Sequence, residues 1–104
     1  MSTSYDLPDV EVAIKALKRL GIEVSNEFPA VKMNPFILEI RVLRPKVDEV
    51  REKLRKWVGR EPKWGGQSLH FRQTTWAIPS HGTLSVIHRN PPHSREEVLV
   101  RWQR

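Results

Sequence analysis

Hydrophobic positions recur at helical spacing in two stretches of the chain and alternate with polar ones in most of the rest. In "DLPDVEVAIKALKRLG", residues 6–21, Val10, Ala13, Ile14, Leu17 and Leu20 follow i, i+3, i+4 spacing and form one apolar stripe, which predicts an amphipathic helix. Asp6 or Asp9 can cap its start, Pro8 suits a first turn where a missing N–H costs little, and Gly21 supplies a left-handed end. "KVDEVREKLRKWVG", 46–59, predicts a second helix with Val47, Val50, Leu54, Trp57 and Val58 buried and Gly59 closing it. Glu49–Lys53 and Glu52–Lys56 are i,i+4 pairs in the favourable order, which leaves Arg51 and Arg55 as the helix cations without an obvious partner.

Alternation marks the strands. "FILEIRVL", 36–43, sends Phe36, Leu38, Ile40 and Val42 to one face and Ile37, Glu39, Arg41 and Leu43 to the other, and Pro45 ends it. Before it, Ile22 and Val24 suggest a short strand, while Pro29 and Pro35 restrict the intervening segment to edge strand or loop. "REPKWGG", 60–66, reads as a loop because Pro62 and the Gly65-Gly66 pair break any period. Residues 68–78 and 83–89 predict a β-hairpin about a four-residue turn, Pro79-Ser80-His81-Gly82. The final segment offers a capping box, Ser94 with Glu97, but Val98, Val100 and Trp102 alternate, and its β-branched residues favour a strand.

This order of elements predicts an α+β fold. One mainly antiparallel sheet carries both helices on one face and leaves the other face free. Residues 1–5 read as a disordered tail and 6–104 as a single domain. A strand–helix–strand unit over 36–78 would cross right-handed if its strands were parallel neighbours. With the hairpin folded about a four-residue turn, residue 78 faces 83, 76 faces 85 and 72 faces 89. Leu69 and Phe71 then lie with Leu84 and Val86 under the helices, and the open face collects His70, Arg72, Trp76, Ser85 and Arg89.

Charge sharpens this picture. The chain of 104 residues has a formal net charge of +6. Residues 1–40 hold four Lys/Arg against six Asp/Glu, and residues 41–104 hold fourteen against six, a local balance of +8. No acid occurs between Glu61 and Glu96, the interval that contains all four histidines. A field of one sign over half a small domain attracts polyanions. With no cysteine there is neither a disulfide framework nor a thiolate nucleophile. No apolar run approaches the roughly 20 residues of a membrane span, and the first residues lack the features of a secretory signal, so the expected location is cytoplasmic.

The expected function is nucleic-acid binding, with RNA or single-stranded DNA favoured over sequence-specific duplex reading. Arg72 and Arg89 would hold phosphate, Trp76 and Trp64 would stack on bases, and His70, Lys63 and Ser85 would complete the surface. The histidines, His70, His81, His88 and His93, lack the spacing of a metal motif and have no carboxylate nearby in sequence, so neither a metal nor a cofactor is expected. An alternative is a small metal-independent endoribonuclease with His70 as general acid or base beside Arg72 and Ser85. The stretch from "REKLRKW" through "SLHFRQTTWAIPSHG" resembles HicA-type toxin ribonucleases. Those carry a histidine on a strand after a helix and then a Pro-x-His-like turn, on a fold like that of double-stranded-RNA-binding domains. The Gly-Ser-His core of that family reads Gln67-Ser68-Leu69-His70 here. A third expectation is a non-catalytic subunit of a larger assembly, since interface cores also favour Trp and Arg. A homodimer could form by pairing the last segment with a partner's sheet edge.

Overall fold

The computed structural model describes residues 9–26, 30–34, 36–43, 46–78, 82–90, 92 and 96–104, with 31–34 described as backbone. Two helices, α1 (Val10–Arg19) and α2 (Val47–Val58), accompany six strands: β1 (Ala30–Asn34), β2 (Ile37–Arg41), β3 (Trp64–Ser68), β4 (Phe71–Ile78), β5 (Gly82–Arg89) and β6 (Glu97–Gln103). The strands form one antiparallel sheet in the order β1-β2-β6-β5-β4-β3. The fold is α+β, with both helices on one face of the sheet. Asp6, Pro8, Pro29, Pro35, Pro45, His81, His93 and Ser94 lie outside the described residues.

The apolar periods explain both helices. Ala13 and Leu17 of α1 and Val50 and Leu54 of α2 are buried in one cluster with Leu38, Ile40, Trp76, Leu84, Val86, Val98, Val100 and Trp102 of the sheet. Gly21 (φ +80°) and Gly59 (φ +76°) follow the two helices in the left-handed conformation that the sequence predicts. Asp9 holds the N-cap position of α1 but makes no side-chain capping bond. On α2 the Glu49–Lys53 pair forms, at 3.0 Å. Arg51 and Arg55 do find partners, however. Arg51 lies 3.4 Å from Asp48, and Arg55 rather than Lys56 takes Glu52, at 2.6 Å. Hydrogen bonds from Lys53 and Arg55 hold the Glu49 and Glu52 carboxyls below their ordinary range, and Glu52 in turn raises Arg55. Trp57 is also misjudged by periodicity, because it is 46% exposed. Val58, the next residue, packs against the core with Ile78, whereas Trp57 stands at the margin of the apolar stripe.

The strand that periodicity misses is β3. "WGGQS" has no apolar alternation, yet it pairs residue for residue with β4, from Trp64–Thr75 to Ser68–Phe71. Leu69 and His70 form the turn between the two, so 68–78 is a turn and a strand rather than one uninterrupted strand. β2 and β4 are not neighbours, and no parallel strand–helix–strand unit exists among the described residues. The last segment is a strand but not an edge. β6 sits between β2 and β5, which closes the expected route to a dimer through it.

The hairpin register differs from expectation by one residue. Ile78 pairs with Gly82, Trp76 with Leu84, Arg72 with His88 and Phe71 with Arg89. A slip of one sends every side chain of a strand to the other face. Trp76 therefore enters the core with 0% exposure, beneath the helices, while Phe71, Thr75, Ser85 and Arg89 occupy the other face. Burial drives the choice: pairing 76 with 84 puts a large indole and a leucine in one apolar layer, where full burial of each contributes about 1.5–3 kcal/mol. Gly82 permits it. With φ +85° it joins the ladder as the first residue of β5, and a side chain there would run into the Gln103 carbonyl.

Trp76→Ala is expected to cost about 3–5 kcal/mol in urea denaturation, as large core truncations do. The indole Nε1 is buried with no hydrogen-bond partner among the described residues. Trp76→Phe removes that unsatisfied donor and should cost clearly less than the alanine change. Gly82→Ala should lower the melting temperature by several degrees, because it strains a left-handed residue and meets backbone, an effect of about 1 kcal/mol or more.

Candidate nucleic-acid interface

The sheet face without helices carries polar groups paired with one another around two buried apolar residues, Ile87 and Leu99. Cross-strand register aligns Trp64, Thr75, Ser85, Arg101 and Glu39 in one row, and Gly66, Gln73, Ile87, Leu99 and Arg41 in the next. Thr75 Oγ1 and Ser85 Oγ share a hydrogen bond of 2.8 Å, and Gln73 Nε2 donates to both, at 3.2 and 3.3 Å. Arg101 donates from Nε to Glu39 Oε2 at 2.6 Å, with its terminal NH2 at 2.5 Å from the same oxygen. Arg41 and Arg89 approach the two oxygens of Glu97 at 3.7 and 3.9 Å. Three arginines thus meet two glutamates, leaving little surplus charge at the centre of this face.

Several residues expected in a binding site are placed where they cannot act together. Trp76 is in the core, and Ser85 is 2% exposed with its hydroxyl engaged by Thr75. Arg72 lies on the helix side of the sheet, 3.9 Å from Asp48, whereas Arg89 lies on the other side, so the two are not neighbours. His70 is an exposed turn residue whose carbonyl accepts the Asn90 N–H at 2.9 Å. The endoribonuclease set of His70, Arg72 and Ser85 is therefore divided between a turn and two opposite faces. His70 is also not on a strand, as the resemblance to HicA-type ribonucleases implies. His88 pairs with Glu96 at 2.9 Å, and no group of three or more potential metal ligands occurs among the described residues.

Trp64 and Lys63 remain accessible, and the fold gives them company. α2 runs along β4: Asp48, near its start, approaches Arg72, while Trp57, Val58 and Arg60 form a shallow groove with Ile78, at the end of β4. Lys63 donates its backbone N–H to the Thr75 carbonyl at 2.7 Å, which turns the chain into β3 and sets Trp64 on the polar face. The Trp64 ring lies over Gly66, where a side chain would collide with it, and the indole is 53% exposed. Phe36, 52% exposed, precedes β2 at the same end of the sheet, beyond the row Ala77–Thr83–Gln103–Ile37. The Arg104 guanidinium stands 6.0 Å from the centre of its ring.

Trp57 on α2, on the helix side of the sheet, and Trp64 on the polar face level with Thr75 are both exposed, as is Phe36 ahead of β2. Lys56, Arg60 and Lys63 lie in or next to the segment that joins the two tryptophans. These three cations are exposed and make no ion pair among the described residues. Glu61, the acid in this loop, lies 3.6 Å from Arg55. Elsewhere, Asp48, Glu96 and Glu97 lie beside Arg72, His88 and Arg89. Sequence reading missed Phe36 and Trp57 because both continue an apolar period. The usable signal was position: each stands next to the terminus of its element. Compared with models of known families, with curated proteins and with solved structures, the chain matches none.

If the polar face is structural, Glu39→Ala should destabilise the fold by about 2–3 kcal/mol by leaving the Arg101 guanidinium unpaired. This is less than the ~3–5 of a fully buried pair, because Arg101 keeps some contact with water. Replacing both residues with leucine should recover most of that loss, as read by urea denaturation.

Proposed function

We propose that this chain binds single-stranded nucleic acid at the exposed indoles of Trp57 and Trp64 and the segment that joins them. The supporting observation is that exposed indoles lie beside Lys56, Arg60 and Lys63, which make no ion pair among the described residues, in a chain of net charge +6. Stacking on an exposed aromatic contributes about 1–3 kcal/mol per base and suits any base, while unpaired lysine and arginine release counterions from phosphate. The loop between the two tryptophans supplies Arg60 and Lys63, so a strand that stacks on both indoles, which lie on opposite sides of the sheet, passes these cations as it rounds the β3 edge.

Single strands fit better than duplexes. Bases in a duplex stack on each other and offer only their edges. Reading those edges calls for a helix or ribbon with free polar groups, whereas the outer side of α2 is neutralised by its own Asp48, Glu49 and Glu52. Arg72, Arg89 and His70 are accessible enough to add phosphate contacts. Each arginine has a carboxylate at 3.9 Å, which weakens its pull on a polyanion.

Fluorescence anisotropy with labelled single-stranded RNA, single-stranded DNA and duplex, each at two salt concentrations, tests this reading. Both single strands should bind more tightly than the duplex. Trp57→Ala and Trp64→Ala should each weaken binding by roughly 5- to 100-fold with the salt slope unchanged. Neutralising Lys56, Arg60 or Lys63 with glutamine should make the slope shallower by about 0.7 for each phosphate that the protein no longer neutralises. Absence of binding to every oligonucleotide at low salt would refute the proposal.

A further inference from the structure

The two edges of the sheet are built differently. β1 carries Lys32, its register with β2 shifts between Lys32 and Asn34, and Pro29 and Pro35 flank it in sequence. Charge, proline and broken register are the devices by which edge strands refuse a further strand. β3, at the other edge, has a regular register and none of these residues within the strand, although Pro62 and Lys63 precede it. Trp64-Gly65-Gly66-Gln67-Ser68 holds no charge and no proline, and its pairing with β4 is regular throughout. It is exposed along its length except for Gly66, which its own Trp64 covers. The core beneath the helices draws on β2, β4, β5 and β6 but on no residue of β3. A strand with open faces, two glycines and one pairing partner is held chiefly by its ladder to β4, and a second ladder would add to it.

We infer that β3 is a dimerisation edge, at which a second copy of this chain pairs antiparallel through its own β3, with the two-fold axis at Gly66. The strand is self-complementary in this register. Trp64 stands opposite the partner's Ser68, and Gly65 stands opposite the partner's Gln67, so each larger side chain meets a small one. Continuing outward, Lys63 faces the partner's Leu69 rather than another cation, and Leu69 is 89% exposed in the single chain. Like charges directly opposite one another would destabilise a ladder, and none occur in this one. Two positively charged chains thus meet along their neutral segment. The pairing is a backbone interaction in the plane of the sheet. Trp64 and Lys63 take part in this ladder as well as in the proposed nucleic-acid surface, and the ladder rests on the edge strand alone.

The test uses nucleic-acid-free protein in a sedimentation-velocity concentration series. Wild type should pass from monomer to a species of twice its mass. A Gly65→Lys/Gln67→Lys variant sets two lysine–lysine oppositions across the proposed ladder and should weaken association by about tenfold or more. It should still fold, as read by circular dichroism, because a Cβ at Gly65 meets only the Gln73 carbonyl at 3.6 Å and Gln67 is exposed. A Gly65→Glu/Gln67→Glu variant should behave in the same way alone. An equimolar mixture of the two should restore the dimer, because each introduced lysine then faces a glutamate. The inference is overturned if wild type stays monomeric across the series, if the lysine variant associates as tightly as wild type, or if the mixture does not reassociate.

Discussion

Four side chains in one cross-strand row, Leu38–Trp102–Leu84–Trp76, tie the sheet together beneath the helices. The row passes through β6, and without β6 there would be two sheets rather than one. β1 and β2 form a hairpin ahead of α2, while β3, β4 and β5 form a meander after it. The last strand of the chain enters between them, and its Glu39–Arg101 contact spans 62 positions of sequence. Such pairing must overcome loop-closure entropy before its contacts form, and the buried Trp102, Val100 and Val98 provide the gain that offsets it.

The same strand separates the two faces. Leu38, Ile40, Trp76, Leu84, Val86, Val98, Val100 and Trp102 form the apolar layer under α1 and α2. Glu39, Gln73, Thr75, Ser85 and Arg101 form a hydrogen-bonded layer on the other side, with Ile87 and Leu99 buried beside it. An uncovered sheet face is stable when its polar groups satisfy one another, and Thr75, Ser85, Gln73, Glu39 and Arg101 do so. That satisfaction has an electrostatic consequence. Arginines engaged at the centre of the sheet and along α2 leave Lys56, Arg60 and Lys63, without an ion pair among the described residues, beside the exposed indoles. The surface best suited to a polyanion is thus displaced from the middle of the hairpin to the margin of the fold.

The local pattern of the chain was enough for much of this architecture. The stripe Val10–Ala13–Ile14–Leu17 and its counterpart Val47–Val50–Leu54 specify helices because burial at 3.6-residue spacing is a property of neighbouring residues alone. Gly21 and Gly59 end those helices because only their backbone enters the left-handed region cheaply. The faces of residues 37–41 followed from the two-residue period, as did the strand at 97–103. Trp64 and Lys63 were recognisable as surface candidates from residue type and a glycine-rich setting.

What the sequence determined by itself, then, was the set of elements with an apolar period, the α+β class and the excess of positive charge in the second half of the chain. Tertiary structure decided the rest. "WGGQS" becomes a strand because β4 offers it a backbone ladder, and main-chain hydrogen bonds leave no trace in hydrophobic pattern. Trp76 lies inside because its register was fixed by Leu84 across the hairpin and Trp102 beyond it, and a period of two cannot distinguish one face from the other. Trp57 lies outside because it stands at the margin of the α2 stripe, while the next residue, Val58, packs against the core. Each of these outcomes depends on what an element packs against, and that is set by residues distant in the chain.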